Sequence, residues 1–139
     1  MSDVFDASAI YTLTIRRISR PLAEGDTISL AGYETGNIIW KEHNIHKRLD
    51  RPEAVELIGL VNSVIDKMQK ISLKDMQTRI LELASKFNIS YYDASYVFAA
   101  TRAGGRLITE DKKLTQKISS FISTKTCEEF LLEQNDTTN

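Results

Sequence analysis

Cysteine, proline and long apolar runs are scarce in this sequence of 139 residues. Its one cysteine, Cys127, cannot form an internal disulfide, and no cysteine–histidine cluster offers a zinc site. No apolar run approaches the roughly 20 residues of a transmembrane helix. The opening residues, MSDVFDAS, lack a basic segment followed by an apolar one. We therefore expect a soluble, cytoplasmic protein without a secretory signal or a membrane partner.

Charge of one sign and familiar catalytic motifs are also absent. The 18 basic and 19 acidic residues give a net charge of −1, which provides no bulk attraction to nucleic acid or to an anionic membrane. The sequence has no G-x-S-x-G, no phosphate-binding G-x-x-x-x-G-K-[ST] and no G-x-G-x-x-G. Any polyanionic partner must therefore meet a local basic patch, and no side-chain nucleophile stands out.

Short apolar runs that predict strands alternate with amphipathic patterns that predict helices. Strands are predicted over 4–5, 27–33, 70–73, 106–109 and 121–124, and helices over 8–18, 34–48, 53–69, 75–87, 91–103 and 111–119, with a last helical turn at CEEFLLE (127–133). This alternation predicts an α/β fold, a parallel sheet of four to five strands with helices on both faces. We expect one domain over 1–133 and a disordered polar tail over 134–139.

Four acidic residues are predicted to face one edge of this sheet. Asp6, Glu34 and Asp111 each follow a predicted strand, and chemistry in open parallel sheets gathers where the strands end. Asp93 lies in the first turn of helix 91–103, which returns through Gly104–Gly105 into strand 106–109. That helix must run antiparallel to the strand, so its first turn lies level with the end of the strand.

Each of these acids also has an ordinary structural explanation. Asp6 and Asp111 can cap helices, Ser90-x-x-Asp93 matches a capping box, and Glu34 suits the positive end of a helix. Clustered carboxylates repel one another, however, unless some bind protons or a cation neutralises them. A site built from oxygen ligands alone favours Mg²⁺ or Mn²⁺ over zinc. Such a site suits phosphoryl transfer to water.

Four stretches of the chain resemble the PIN domain family, and within it the VapC-type ribonuclease toxins of toxin–antitoxin pairs. They are VFDASAI (4–10), LAGYETGNIIWK (30–41), YYDASYVFAATRAGG (91–105) and LITEDKKL (107–114). They occur in the order and at about the spacing of the family, whose organisation covers nearly the whole chain. The stretch between 50 and 90 matches only in pattern. The resemblance implies a three-layer PIN-like fold.

The resemblance also assigns roles to individual residues. It implies that Asp6, Glu34, Asp93 and Asp111 form a catalytic site that binds Mg²⁺ or Mn²⁺. Asp6, Asp93 and Asp111 would ligate the metal, and Glu34 would bind it or orient its water. The polar residues that would support these ligands are Ser8, Asn37 and Thr109. Glu110 is left as a neighbour that faces solvent.

The resemblance further implies hydrolysis of RNA by a homodimer that a small cognate antitoxin neutralises. Arg16, Lys41 and Lys112 are among the basic residues that we expect near the RNA. Two alternatives remain open at this point. One is a PIN-like module that binds RNA or a protein without cleavage. The other, less favoured, is a receiver-type signalling domain, which would need paired acids after its first strand and a Lys-Pro near its end.

Overall fold

The structure, a computed structural model, describes residues 2–138, and of residues 136–138 it describes the backbone alone. Its strands are β1 (Val4–Phe5), β2 (Asp26–Thr27), β3 (Gln69–Lys70), β4 (Leu107–Ile108) and β5 (Thr124–Lys125). Its helices are α1 (Ala7–Ile15), α2 (Arg20–Ala23), α3 (Ala31–Trp40), α4 (Arg51–Lys67), α5 (Gln77–Phe87), α6 (Tyr91–Ala103), α7 (Lys112–Ile118) and α8 (Cys127–Thr138), and a π-helical segment (Lys41–Ile45) extends α3.

The five strands form one sheet in the order β3-β2-β1-β4-β5, and every pairing is parallel. The prediction of a parallel α/β sheet with four to five strands is confirmed. The strand order reverses between β1 and β4, since β2 and β3 are added on one side of β1 and β4 and β5 on the other, so a crevice opens where these two neighbours end. A receiver domain has the order 2-1-3-4-5 instead, and this difference excludes that alternative.

Alternate residues of the two central strands enter separate cores on opposite faces of the sheet. Phe5 and Ile108 pack with α1, α3, α4 and α8, whereas Val4 and Leu107 pack with α5, α6 and α7. Successive side chains of a strand point to opposite faces, so a strand buried on both sides is apolar throughout. The result is the predicted three-layer arrangement, with the sheet in the middle.

Side chains at the helix ends explain why several helices begin where they do. Asp6, Asp50, Ser90 and Asp111 each accept a hydrogen bond from a backbone N–H in the first turn of the helix that follows. Three of these helices begin directly behind a strand or at a short turn next to the sheet edge. The caps therefore fix the helix starts, and two of them, Asp6 and Asp111, follow strands β1 and β4.

The predicted bounds of three strands are wrong, and the strand predicted over 70–73 lies at Gln69–Lys70. The run 27–33 is a strand only as far as Thr27, and α3 already begins at Ala31, so Glu34 lies on a helix. The last strand lies at Thr124–Lys125 and not at 121–124, because Phe121 belongs to a turn and packs against Phe87. Short β-branched and apolar runs do not distinguish a strand from the buried turn that follows it.

Helix α1 also ends earlier than predicted, and α2 was not predicted. The backbone of Arg17 is left-handed (φ 60°) and ends α1 after Ile15. Pro21 then starts the short helix α2, a position that suits proline. At the other end of the chain, α8 continues through 134–138, where a tail was predicted, and Asn139 lies outside the described residues. Over the described residues, no helix has both the length and the apolar character needed to cross a membrane.

Candidate active site

The four predicted acids line a single cavity at the carboxyl edge of the sheet. Asp6 follows β1, Glu34 lies in the first turns of α3, Asp93 lies in the first turn of α6, and Asp111 follows β4. The cavity has a volume of about 240 Å³. Its remaining lining residues are Ala7, Ser8, Asn37, Ile38, Lys41 and Tyr96. The topology therefore brings together side chains from four separate segments of the chain.

Asp6 is buried at the base of this cavity, and hydrogen bonds fix its carboxylate. Oδ1 accepts from the Ser8 hydroxyl at 2.6 Å and from the Ala9 backbone N–H at 3.0 Å, and Oδ2 accepts from the Thr109 hydroxyl. The cap on α1 is thus real, as the ordinary explanation of Asp6 requires. It uses Oδ1, and so it does not prevent the carboxylate from facing the cavity.

Two linked contacts fix Asp111, which lines the cavity, next to the buried Thr109. The Thr109 hydroxyl oxygen accepts from the Asp111 backbone N–H at 3.1 Å, while Asp111 Oδ1 accepts from the Leu114 N–H at 3.0 Å and caps α7. The neighbouring Glu110 was predicted to face solvent, but its carboxylate also accepts a hydrogen bond from the Cys127 N–H at 2.7 Å. Glu110 therefore anchors the start of α8, which leaves Asp111 as the acid of this pair that lines the cavity.

The electrostatics of the cavity disfavour the ionised carboxylates. Burial raises the pKa of Asp6 to about 6, although its hydrogen bonds oppose this shift, and the negative charge of Asp93 adds to it. Burial followed by repulsion from Asp111 raises the pKa of Asp93. Burial, together with the charge of Asp93, also raises the pKa of Glu34. The acids interact as one cluster, and a cation would relieve their mutual repulsion.

Tyr96 lines this cavity, although its sequence position favoured packing between helix and sheet over stacking of a base. Its ring is buried in α6, and its hydroxyl is close to the Glu34 carboxylate and lowers the pKa of that group. The contact does not have regular hydrogen-bond geometry, so the buried hydroxyl oxygen has no hydrogen-bond partner among the described residues. Its helical position, three residues after Asp93 and on the same face, was the one signal in the sequence.

The other predicted residues fall into two groups. Ser8, Asn37 and Lys41 line the cavity, and Lys112 is exposed in the first turn of α7 beside Asp111. Arg16 lies elsewhere, since it follows the C-terminal end of α1, whereas Asp6 caps the N-terminal end. The Arg16 guanidinium pairs with the Glu128 carboxylate at 3.7 Å.

The donor atoms of the cavity fit a hydrated cation better than a ready-made metal cage. In the part of the chain that the structure describes, no three His, Cys, Asp or Glu side chains are grouped closely enough to enclose an ion. Mg²⁺ requires no such cage, because it retains several water ligands and binds through one or two carboxylates. Four carboxylates that line one small cavity match that requirement.

Similar proteins were found in two of three comparisons. Ribonuclease VapC3 of Pyrobaculum aerophilum is 30% identical over 131 aligned residues, which cover 88% of this chain and 99% of that protein. Exonuclease VapC9 of the same organism is 29% identical over 123 residues, covering 87% and 89%. The crystal structure of PAE2754, also from Pyrobaculum aerophilum, covers 96% of both chains with a TM-score of 0.78 and 25% identity. No protein-family model matches the sequence.

Proposed function

The chain belongs to the VapC family of ribonuclease toxins, and from this premise we propose that it is a Mg²⁺- or Mn²⁺-dependent endoribonuclease. The reaction is hydrolysis of an RNA phosphodiester bond, in which water attacks phosphorus and the bond to the leaving ribose oxygen breaks. The observation that carries the proposal is the convergence of Asp6, Glu34, Asp93 and Asp111 on one cavity. We place the reaction in the cytoplasm, where an RNA substrate is available.

The carboxylates of the cavity divide into ligands and supporting groups. Asp6, Asp93 and Asp111 would hold the metal, one or two of them directly and the others through its water ligands, and the ion would neutralise charge at the phosphate and make a bound water more acidic. Glu34 faces the same space and, with its raised pKa, suits a group that orients water or accepts its proton. The nearby Tyr96 hydroxyl limits this rise, because it lowers the pKa of Glu34.

Hydrogen bonds outside the cavity hold the principal ligand in a fixed direction. The Ser8 hydroxyl donates to Asp6 and also accepts from the Glu110 backbone N–H at 3.0 Å. Thr109 links Asp6 to the Asp111 backbone in the same way. Substitution of groups that orient a metal ligand typically costs about 10- to 100-fold in metal affinity or activity. Ser8 and Thr109 thus support the ligands, and Asn37 completes the rim one turn after Glu34.

Removal of one carboxylate charge tests the proposal. Asp93→Asn should fold normally, because the Asp93 backbone N–H, and not its side chain, donates to the Ser90 cap. The variant should lose Mn²⁺-dependent cleavage of a labelled RNA pool. Asp66→Asn, an exposed acid on α4, is the matched control and should cleave as the wild type does. Full cleavage by folded Asp93→Asn would refute the assignment, and RNA binding without cleavage by the wild type would favour the PIN-like binding module.

The mode of cleavage needs a separate experiment, because one relative is named a ribonuclease and the other an exonuclease. We propose internal cleavage. A circular RNA has no end for an exonuclease, so the wild type should linearise it in the presence of Mn²⁺. Degradation of linear RNA with intact circles would instead assign exonuclease activity.

We also propose a homodimer and a small cognate antitoxin as partners. Helix α4 leaves Val55 and Ile58 exposed on one face, at 57% and 38%. An amphipathic helix of an antitoxin fits such a surface. Val55→Asp should prevent neutralisation of the toxin without changing cleavage. Light scattering of the isolated protein tests the dimer separately.

A further inference from the structure

A second and larger cavity opens beside the acidic one at the same edge of the sheet. Its volume is about 550 Å³, and it lies where β2 and β3 end. Its lining is mostly apolar, with Leu30, Ile71 and Leu73 forming one part and Tyr91 and Tyr92 another. Lys74 adds an exposed positive charge. The acidic residues of the first cavity do not contribute to it.

Residues that line the two cavities are neighbours in the sequence. Tyr91 and Tyr92 immediately precede Asp93 in the first turn of α6, and Leu30 immediately precedes α3, which carries Glu34. An RNA strand that passes from the acidic cavity toward the start of α6 therefore reaches the tyrosines within about one helical turn of Asp93. One turn is roughly 5.4 Å, which is close to the spacing of adjacent nucleotides in an extended strand.

The lining of the second cavity suits the base of a nucleotide better than its phosphate. Tyr91 and Tyr92 are 41% and 58% exposed, so their rings are available to a ligand. Aromatic side chains stack unpaired bases of single-stranded RNA, and a lysine at the rim suits the adjoining phosphate. Lys70 is not available for this role, because its Nζ donates to the Ile65 and Asp66 carbonyl oxygens at the end of α4.

We infer that this cavity is a nucleobase subsite, in which Tyr91 and Tyr92 stack a base of single-stranded RNA next to the phosphate held in the acidic cavity. The inference rests on the proposed ribonuclease function and extends it, since it assigns to these tyrosines the recognition of an unpaired base. A duplex cannot present its bases in this way, so the subsite selects single-stranded regions.

Binding measurements test the subsite without depending on cleavage. A labelled oligoadenylate is compared with an abasic ribose-phosphate chain of the same length by fluorescence anisotropy, in EDTA. The wild type should bind oligoadenylate roughly 5- to 150-fold more tightly, the range that stacking of one base provides. The Tyr91→Ala/Tyr92→Ala double variant should bind both chains equally and as weakly as the wild type binds the abasic chain. Tyr92→Phe should retain the preference, since stacking needs only the ring.

The control is Leu132→Ala, which removes a side chain of similar exposure (57%) from α8, the helix after the strand at the opposite edge of the sheet. It should bind both chains as the wild type does. The subsite is refuted if the double variant keeps its preference for bases, if it weakens binding of both chains equally, or if the wild type shows no preference. Cleavage with Mn²⁺ is scored separately: base-dependent binding without cleavage would refute only the ribonuclease function, and cleavage with no base preference only the subsite.

Discussion

The Thr109 hydroxyl donates a hydrogen bond to Oδ2 of Asp6, and this contact joins residues 103 positions apart in the sequence. Both residues are buried at the ends of the adjacent strands β1 and β4. The same hydroxyl oxygen accepts from the Asp111 N–H, so one threonine connects two acids of the cavity. Because the pairing of β1 with β4 brings Thr109 next to Asp6, this contact fixes the positions of the Asp6 and Asp111 carboxylates.

Thr109→Val should therefore lower stability although it conserves the shape of the side chain. The substitution leaves Oδ2 of a buried carboxylate without a donor and the Asp111 N–H without an acceptor. Loss of a hydrogen bond to a charged group costs about 1.5–3 kcal/mol. Urea denaturation measures the change in the free energy of unfolding. Thr109→Ser, which keeps the hydroxyl, should recover most of the loss, and equal stability of the valine variant and the wild type would contradict this role.

The pKa of Asp6 gives the stability a pH dependence of definite sign. Because the folded-state pKa is raised to about 6 from 3.8, the folded protein holds this proton more tightly than the unfolded chain does. Ionisation then costs stability as the pH rises from about 4 to 6, by about 3 kcal/mol at neutral pH. Asp6→Asn lacks this ionisation, so its stability relative to the wild type should increase over that pH range.

Denaturation in EDTA at several pH values measures the difference between the two proteins. A difference that stays constant from pH 4 to 7 would contradict the buried, weakly acidic carboxyl. If Asp6 ligates a cation as proposed, saturating Mg²⁺ at pH 7 should reduce the advantage of the Asn variant, because the ion stabilises the charged form of the wild type.

The helix that carries Asp93 could be predicted from local sequence because its signals are strong. Ser90 caps its start, and Gly104, in the left-handed region at φ 67°, ends it, as the Gly-Gly pair indicated. Its direction relative to β4 then followed from the short turn, and this placed Asp93 beside the other acids. Caps and glycine turns act within a few residues, so a single sequence contains them in full.

The strand ends could not be predicted, because the sheet determines them. Ile28 is buried and apolar, as a strand residue would be, yet the strand ends at Thr27 and the chain turns toward α3. Pairing with β1 and β3 decides where the ladder stops, and the sequence does not state which residues are paired. Proximity of the Tyr96 hydroxyl to Glu34 likewise depends on how α3 and α6 meet, and no local pattern reports that.

Tyr96→Phe should change the acidity of the site more than the stability of the fold. The hydroxyl is buried without a regular hydrogen-bond partner in the described chain, so its removal should leave the free energy of unfolding within about 1 kcal/mol of the wild type. The pKa of Glu34 should rise further, because Tyr96 lowers it. An NMR titration of the Glu34 side-chain carboxyl measures this directly. An unchanged pKa would show that the hydroxyl does not interact with the acid.

Lys41 is the basic residue that the structure brings to the rim of the acidic cavity, at the junction between α3 and the π-helical segment. A cation there would contact a phosphate of the RNA, so Lys41→Gln should weaken RNA binding and reduce the slope of log affinity against log salt by about 1. The control, Lys67→Gln, changes an exposed lysine at the end of α4 and should leave the slope unchanged. Anisotropy titrations at several salt concentrations measure both variants. An equal slope for Lys41→Gln and the wild type would remove Lys41 from the binding surface, even if the affinity itself fell, because only loss of an ionic contact changes the number of ions released.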